Sequence, residues 1–304
     1  MEEKRNFDLL TLGQVLLRLS PPNNDRLVRG DTFVKQVGGA ELNVAVGVAL
    51  LGLRTGVISK LPSHDMGSFM KGKIRSYGVS DDFFMYDDSP SARVGIYYYE
   101  NGAYPRKPKV IYDRANSSFY SLKIDEIPEK AYTASRCFHT SGITLALSPK
   151  VRETAIEMIK RFKAAGTLVS FDVNFRGNLW TGEEAKECIE QILPYVDIFF
   201  CSEDTARLTF KKTGTAREMM KSFTEEYPIS IVASTQRIVH SPKSHTFGSI
   251  IYDARKDIYY EEEPYRDIDV VDRIGSGDAY ISGALYGLLT SDFDCEKAVR
   301  YGNA

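Results

Sequence analysis

Residues 272–280 read Asp-Arg-Ile-Gly-Ser-Gly-Asp-Ala-Tyr and open a helical pattern near the end of the chain. Gly275 and Gly277 allow successive backbone N–H groups to point toward one spot at the start of that helix. Such a turn, together with the helix dipole, suits a phosphate group or a developing negative charge. Asp278 lies among these anion-attracting groups, which favours a carboxylate that takes a proton from a hydroxyl. The alternative is a Gly-Ser turn with Asp278 as an acidic residue in the first turn of a helix.

The remainder of the chain alternates between strand and helix patterns. Residues 7–12 predict a strand, a helix is predicted after Gly38-Gly39, and residues 55–59 predict the next strand. Such alternation indicates a mostly parallel sheet covered by helices. The later elements are strands predicted at 168–172, 197–201 and 229–233, a hairpin at 249–263, and helices at 66–77, 148–165, 183–193, 217–226 and 275–289.

Two segments depart from this alternation. Residues 93–120 hold two runs rich in aromatic and β-branched residues around a loop that contains Gly and Pro, which predicts antiparallel strands. We expect residues 14–37 to contribute to the same group of strands. We therefore expect one α/β domain over residues 1–304 that carries a small β excursion made of residues 14–37 and 93–120.

Composition excludes several classes of protein. The chain has 39 basic and 41 acidic side chains, a formal net charge of −2, which gives no broad basic surface for nucleic acid. No run of about 18 apolar residues is present, so no membrane-spanning helix is expected. The four scattered cysteines predict small core residues in a reducing compartment, and no secretory signal pattern opens the chain. The sequence predicts a soluble, cytoplasmic protein.

Two motifs identify a family resemblance. Residues 272–280 resemble the Asp-x-x-Gly-x-Gly-Asp-x-Phe signature of the PfkB sugar kinases, the ribokinase family, with Tyr280 in place of Phe. The Gly-Gly pair and later Asn of the family's other signature resemble Gly38-Gly39-Ala40-Glu41-Leu42-Asn43. The resemblance implies a ribokinase-like three-layer α/β/α domain with a mostly parallel central sheet and a small β-sheet lid. Family members usually continue beyond the point where this chain stops, so we expect the family's C-terminal helices to be missing.

The resemblance implies transfer of the γ-phosphoryl group of ATP to a sugar hydroxyl with Mg²⁺, and a monovalent cation such as K⁺ is a further candidate. Asp278 would be the general base, and the N–H groups of Gly275, Ser276 and Gly277 would form the anion hole. Pairing of lid strands between subunits in this family implies a homo-oligomer. The residues expected at the nucleotide are Asn174, Thr235, Arg237, Gly275, Gly277 and Asn303.

The magnesium site is predicted from a motif in which this chain differs from most family members. Many family members have Asn-x-x-Glu after the fourth or fifth strand, and this chain has Ser202-Glu203-Asp204-Thr205. Glu203 or Asp204 is therefore expected to substitute as the acidic group that organises magnesium.

The substrate is predicted from a second position at which this chain differs from other family members. Neutral-sugar members place an Asp where this chain has Arg18, and a cation cannot accept a hydroxyl proton. The stretches RLSPP, VGGAELN and FDVNFRGNLW resemble the 2-keto-3-deoxygluconate kinases of the family, whose substrate carries a carboxylate. Arg176 would hold that carboxylate, because guanidinium binds carboxylates bidentately. By the same resemblance, the residues expected at the substrate are Gly39, Asn43, Tyr97, Tyr112, Arg114 and Arg176.

Alternatives remain open at this point. The two tyrosines could be core residues of the lid, Arg176 could form a surface ion pair, and Arg106 lies in a loop expected to be solvated. The leading hypothesis is a 2-keto-3-deoxygluconate kinase that forms the 6-phosphate. The others are a PfkB kinase of another sugar or sugar acid, and a sugar-acid-binding protein with weak catalysis.

Overall fold

The computed structural model describes residues 5–102, 105–241 and 244–304. Residues 103 and 104 of the predicted β excursion therefore lie outside the described residues. The described strands are β1 (Phe7–Leu12), β2 (Leu16–Ser20), β3 (Val34–Gly38), β4 (Thr55–Pro62), β5 (Val79–Ser80), β6 (Phe84–Asp87), β7 (Gly95–Glu100), β8 (Lys109–Asp113), β9 (Ser135–Ser141), β10 (Leu168–Asp172), β11 (Ile198–Phe200), β12 (Ile231–Ser241), β13 (Ser244–Asp253), β14 (Ile258–Glu261) and β15 (Tyr265–Asp269). The described α-helices are α1 (Ala40–Leu50), α2 (Asp65–Ser76), α3 (Lys130–Thr133), α4 (Gly142–Ala146), α5 (Pro149–Ala164), α6 (Gly182–Glu190), α7 (Glu203–Leu208), α8 (Ala216–Glu226), α9 (Ser276–Thr290) and α10 (Cys295–Asn303).

Eleven of the described strands form the central sheet, in the order β14-β13-β12-β11-β10-β9-β1-β4-β5, with β15 beside β13 and β6 beside β4. Neighbouring strands from β12 to β5 run parallel, whereas β13 is antiparallel to β12, β14 and β15. Leu9 and Leu10 are consecutive residues of β1 and both are fully buried. Because successive side chains of a strand point to opposite faces, both faces of the sheet are covered.

Each face has its own hydrophobic core. Leu9 shares one core with Val44 of α1 and with Ile281 of α9. Leu10 shares the other with Phe138 of β9 and Phe162 of α5, and these two rings stack with their centroids 4.0 Å apart. The three layers confirm the predicted α/β/α fold with a mostly parallel sheet.

A second, four-stranded sheet has the order β3-β2-β7-β8. Strand β2 is antiparallel to β3 and parallel to β7. These strands lie within residues 14–37 and 93–120, except that β3 extends one residue further, to Gly38. Val15 and Leu17 share a core with Leu42 of α1, so this sheet is fixed beside the first helix.

The local patterns predicted most elements. Strands β1 and β10 occupy the predicted residues, and Ser148 caps α5 by accepting from the N–H of Val151. The sequence predicts that β12 ends at residue 233, but the strand continues to Ser241 because β13 supplies a paired antiparallel partner. No local pattern predicted the strands β5, β6, β9 and β15 or the short helices α3, α4 and α7.

Two further observations concern the cysteines and the lengths of the helices. The four cysteines are buried and free of disulfides, as expected for small core residues. Within the described ranges, no helix has the length and apolar character needed to cross a membrane.

The carboxyl ends of β1, β9, β10 and β11 meet at one edge of the central sheet, which is where open α/β sheets bind ligands. Chain segments approach each other closely there. Gly142 begins α4 after β9, and a Cβ added to it would lie 2.1 Å from the carbonyl oxygen of Val173, next to the carboxyl end of β10. The absence of a side chain at Gly142 therefore allows the segment after β10 to take its position.

We expect Gly142→Ala to lower the free energy of unfolding by about 1–3 kcal/mol, because the methyl group overlaps a backbone atom that cannot move freely. The control is Gly72→Ala within α2, where an added Cβ meets no atom within 4 Å. That change should raise the free energy of unfolding by about 0.5–1 kcal/mol. Urea denaturation measures both, and a Gly142→Ala protein as stable as the wild type would contradict this account of the packing.

Candidate active site

A cavity of about 430 Å³ lies between the carboxyl edge of the central sheet and the second sheet. All six residues predicted to bind the sugar line it, together with the four predicted to form the base and the anion hole. These ten residues are Gly39, Asn43, Tyr97, Tyr112, Arg114, Arg176, Gly275, Ser276, Gly277 and Asp278. The structure thus brings together residues of the second sheet, of the segment after β10 and of both motifs.

Asp278 lies in the first turn of α9 and is 9% exposed. Its Oδ2 accepts a hydrogen bond from Nδ2 of Asn43 at 2.7 Å. Burial raises the pKa of Asp278 to about 6, while the hydrogen bond from Asn43 and the charge of Arg176 oppose that rise. A carboxylate with a pKa near 6 is mostly ionised at neutral pH and is a stronger base than a solvated aspartate.

Residues 272–277, here called the anion loop, lead into α9. Gly275 has a φ of +81°, a left-handed conformation that favours glycine. A Cβ added to Gly277 would meet no atom within 4 Å, so the backbone at this point faces open space in the cavity. At the start of the 15-residue α9 the N–H of Ser276 donates to the carbonyl oxygen of Arg273 at 3.4 Å, a long contact. The first turn of a helix offers further N–H groups without an intrahelical acceptor, which suits an anion.

Two arginines face the same cavity. Nε of Arg114 donates to Oε1 of Gln14 at 2.7 Å, and Nε2 of Gln14 donates to the carbonyl oxygen of Arg114 at 3.2 Å and to Oγ of Ser117 at 2.6 Å. Burial lowers the pKa of Arg114, yet an arginine keeps its charge in a protein. Within residues 5–102, 105–241 and 244–304, neither Arg114 nor Arg176 forms an ion pair. Their charges are therefore available to an anionic ligand.

Sequence reasoning missed two carboxylates of this site. Asp172, at the end of β10, lines the cavity, and its withdrawal from water raises its pKa to about 7, with a further contribution from Asp278. Glu41 is almost fully buried, and its Oε1 accepts from the hydroxyls of Ser141 and Thr144, both at 2.7 Å. Burial raises the pKa of Glu41. Both acids occur in the quoted motifs, VGGAELN and FDVNFRGNLW, in which the resemblance implied roles for Gly39, Asn43, Asn174 and Arg176.

A second cavity, of about 200 Å³, adjoins the first. Four residues line both: Asp172, Asn174, Arg176 and Gly277. The second cavity adds Thr235, whereas Arg237 lines the first. Asn303 lines neither but is buried nearby, where its Oδ1 accepts from Oγ of Ser249 at 2.7 Å and its Nδ2 has no partner in the described part of the chain.

Some predicted residues lie elsewhere. Glu203 lines neither cavity, and its Oε1 is bound by Nη2 of Arg207 at 2.7 Å, so its assignment to magnesium stays a prediction. Arg106 forms an ion pair with Glu100. Across the described ranges, no three His, Cys, Asp or Glu side chains are grouped to hold a metal ion.

Comparison with known proteins places this geometry in a family. Residues 6–304 match the pfkB family of carbohydrate kinases. A 2-dehydro-3-deoxygalactonokinase from Haloferax volcanii is 33% identical over 98% of this chain and 89% of its own length. A 5-dehydro-2-deoxygluconokinase from Listeria monocytogenes is 28% identical over 99% of this chain and 89% of its own length. A crystal structure of 2-dehydro-3-deoxygluconokinase from Thermotoga maritima superposes with a TM-score of 0.91 at 30% identity, covering 98% of this chain and 91% of that one. The chain therefore belongs to the PfkB family of carbohydrate kinases.

Proposed function

We propose that this protein transfers the γ-phosphoryl group of ATP to a 2-keto-3-deoxy sugar acid, with 2-keto-3-deoxygluconate as the first candidate and its 6-phosphate as the product. The observation that carries the proposal is the presence of Arg114, Arg176 and Asp278 in one cavity. The names of the relatives from Haloferax volcanii and Thermotoga maritima support this substrate class.

Recognition of the acid group follows from the charges of the cavity. Charge-assisted hydrogen bonds from guanidinium to carboxylate are roughly twice as strong as those between neutral groups. Arg114 is prepared for such a bond, because Gln14 fixes its Nε and, in the described part of the chain, its terminal nitrogens donate no hydrogen bond. We assign the substrate carboxylate to Arg176, with Arg114 as its neighbour, and the sugar hydroxyls to Gly39, Asn43 and the tyrosines of the second sheet.

The chemical step that we propose uses Asp278 as the general base. The 6-hydroxyl oxygen forms a bond to the γ-phosphorus as the bond from that phosphorus to the β-phosphate oxygen breaks, and the hydroxyl proton passes to Asp278. The N–H groups of the anion loop stabilise the negative charge of the transferring group. The second sheet covers the sugar and excludes water from this step.

The residues present fit a nucleotide with its divalent cation. Gly277 leaves open space where both cavities meet, and Thr235 and Asn174 line the second cavity. We therefore place the phosphates at the anion loop beside Arg237 and the remainder of ATP toward the second cavity, with Asn303 behind it. Bound Mg²⁺ would neutralise phosphate charge, and Asp172 is the carboxylate that lines both cavities.

Location and assembly are part of the same proposal. Use of ATP favours the cytoplasm. The second sheet exposes apolar side chains, among them Val34 at 48% and Ile111 at 43%, which supports pairing of this sheet with a second copy of the chain.

We expect Asp278→Asn to lower kcat by at least ~10²-fold and to leave the affinity for the sugar acid near normal, because the amide keeps the shape but accepts no proton. A coupled assay of ADP formation gives kcat, and calorimetric titration gives the affinity. A variant that keeps more than about a third of the wild-type kcat would show that Asp278 is not the base.

The pH dependence of kcat/KM should have an acid limb centred near the pKa of Asp278, about 6. Below that pH the rate constant should fall by about tenfold per pH unit, since only the ionised carboxylate accepts a proton. The Glu41 charge contributes to the raised pKa of Asp278, so Glu41→Gln should move the limb to lower pH. A limb unmoved by Glu41→Gln, or a flat profile through pH 6, would contradict this electrostatic account.

Arg176→Gln should raise KM for the keto acid by roughly 10- to 150-fold and change kcat less, because a charge-assisted contact of about 1.5–3 kcal/mol is lost. The same change should barely affect a neutral analogue with a hydroxymethyl group in place of the acid. Arg114→Gln is the companion variant, since the two arginines could share the carboxylate.

Arg106→Gln is the control for the Arg176 and Arg114 variants. Arg106 lies near the second sheet, pairs with Glu100 and lines neither cavity. The change should leave the preference for the acid unchanged. Equal use of the acid and the neutral analogue by the wild type would reject the sugar-acid assignment, while the role of Asp278 would stand.

A further inference from the structure

An ion pair joins the second sheet to the anion loop. Nη2 of Arg18 in β2 lies 3.1 Å from Oδ2 of Asp272, 254 residues later in the chain. We propose that Arg18 is a positioning residue: through Asp272 it holds the anion loop in the geometry needed for phosphoryl transfer, so that this geometry depends on the placement of the second sheet. The proposal rests on the kinase activity proposed above.

The guanidinium of Arg18 is fixed on several sides. Its Nε donates to Oγ of Ser20 at 3.0 Å, and its central carbon lies 4.4 Å from the centre of the Tyr99 ring. Only 13% of the side chain is exposed. Exposed ion pairs contribute little because water and salt screen them and because two long side chains must be ordered. The Asp272 side chain is 38% exposed, so water screens the pair from one side only. Because the Arg18 side chain is already ordered and mostly shielded, the pair avoids part of both costs, and it can hold Asp272 in place.

Asp272 also bonds to the backbone of the anion loop. Its second oxygen, Oδ1, accepts a hydrogen bond from the N–H of Ile274 at 2.9 Å. Ile274 immediately precedes Gly275, whose positive φ turns the chain into the helix. One carboxylate therefore connects Arg18 to the residue before Gly275, the first of the three residues whose N–H groups we place at the transferring phosphoryl group.

Arg18 is distinct from the substrate arginines. Arg114 and Arg176 line the 430 Å³ cavity, whereas Arg18 lines a neighbouring cavity of about 320 Å³ with Tyr97 and Gly275. Its guanidinium is already bound by Asp272. The arginine that stands in place of the expected acidic residue thus points to the anion loop, and its effect on the reaction is indirect.

Arg18→Gln, Asp272→Asn and the double variant test the proposal. Each single change should lower kcat by about tenfold while KM for the sugar acid stays within about twofold. Asp272→Asn keeps a side-chain oxygen that can accept from the N–H of Ile274. It therefore removes the charge that binds Arg18 and retains the hydrogen bond to the loop backbone. Because both changes break one contact, the double variant should resemble either single variant. Effects of the two changes that multiply would overturn the proposal.

Lys35→Gln is the matched control. Lys35 lies on β3, the strand next to β2, and its ammonium group is 4.3 Å from the ring centre of Phe69 in α2. The change removes a cation that also links the second sheet to the main body, but not to the anion loop. It should leave kcat within about twofold. A loss equal to that of Arg18→Gln would show a general effect of second-sheet charge and would overturn the proposal.

Hydrogen exchange gives a readout that needs no substrate. In the ligand-free protein, Arg18→Gln and Asp272→Asn should speed amide exchange at residues 274–277 several-fold, and Lys35→Gln should not. Unchanged exchange in the first two variants would overturn the proposed tether. If the wild type phosphorylates no sugar acid, the proposed function fails, while this measurement still decides whether Arg18 orders the anion loop.

Discussion

The hydrogen bond between Asn43 and Asp278 is the contact on which the site depends. It joins the first turns of α1 and α9, 235 residues apart in the chain. It can form because the two helices pack closely: a Cβ added to Gly47 would lie 2.4 Å from Oγ of Ser282, and that hydroxyl bonds to the carbonyl oxygen of Val44. The packing of α1 on α9 brings the two glycine-containing turns to one cavity and buries the carboxylate between them.

Burial of that carboxylate sets the charge of the rest of the site. Three acids, Glu41, Asp172 and Asp278, are withdrawn from water, and burial raises the pKa of each. Burial raises the pKa of Asp172 to about 7, which favours its protonated form, so the cavity is less negative than three ionised carboxylates would make it. Arg114 and Arg176 keep their full charge. The balance favours an anionic substrate and still leaves a base that can accept a proton.

Local patterns in the sequence predicted the layers of the fold, whereas the resemblance to the PfkB kinases supplied ten of the residues that line the main cavity. Periodicity and turn residues suffice for elements such as β1 and β10, whose patterns are set by their own side chains. The extension of β12 to Ser241 depends on a partner strand, which no local pattern records. The ion pair of Arg18 with Asp272 could not be predicted from the sequence either, because only tertiary packing brings the two residues together. Long-range contacts of this kind decide which polar residues bind ligands and which bind each other.

We propose above that this cavity transfers a phosphoryl group from ATP to a sugar acid. Phosphorus NMR of a reaction that contains the protein, ATP, Mg²⁺ and 2-keto-3-deoxygluconate tests it most directly. The account predicts a new phosphate monoester on the 6-oxygen, formed in equal amount with ADP and much more slowly from the neutral analogue. Formation of ADP with inorganic phosphate alone, or no consumption of ATP with any 2-keto-3-deoxy sugar acid, would contradict it.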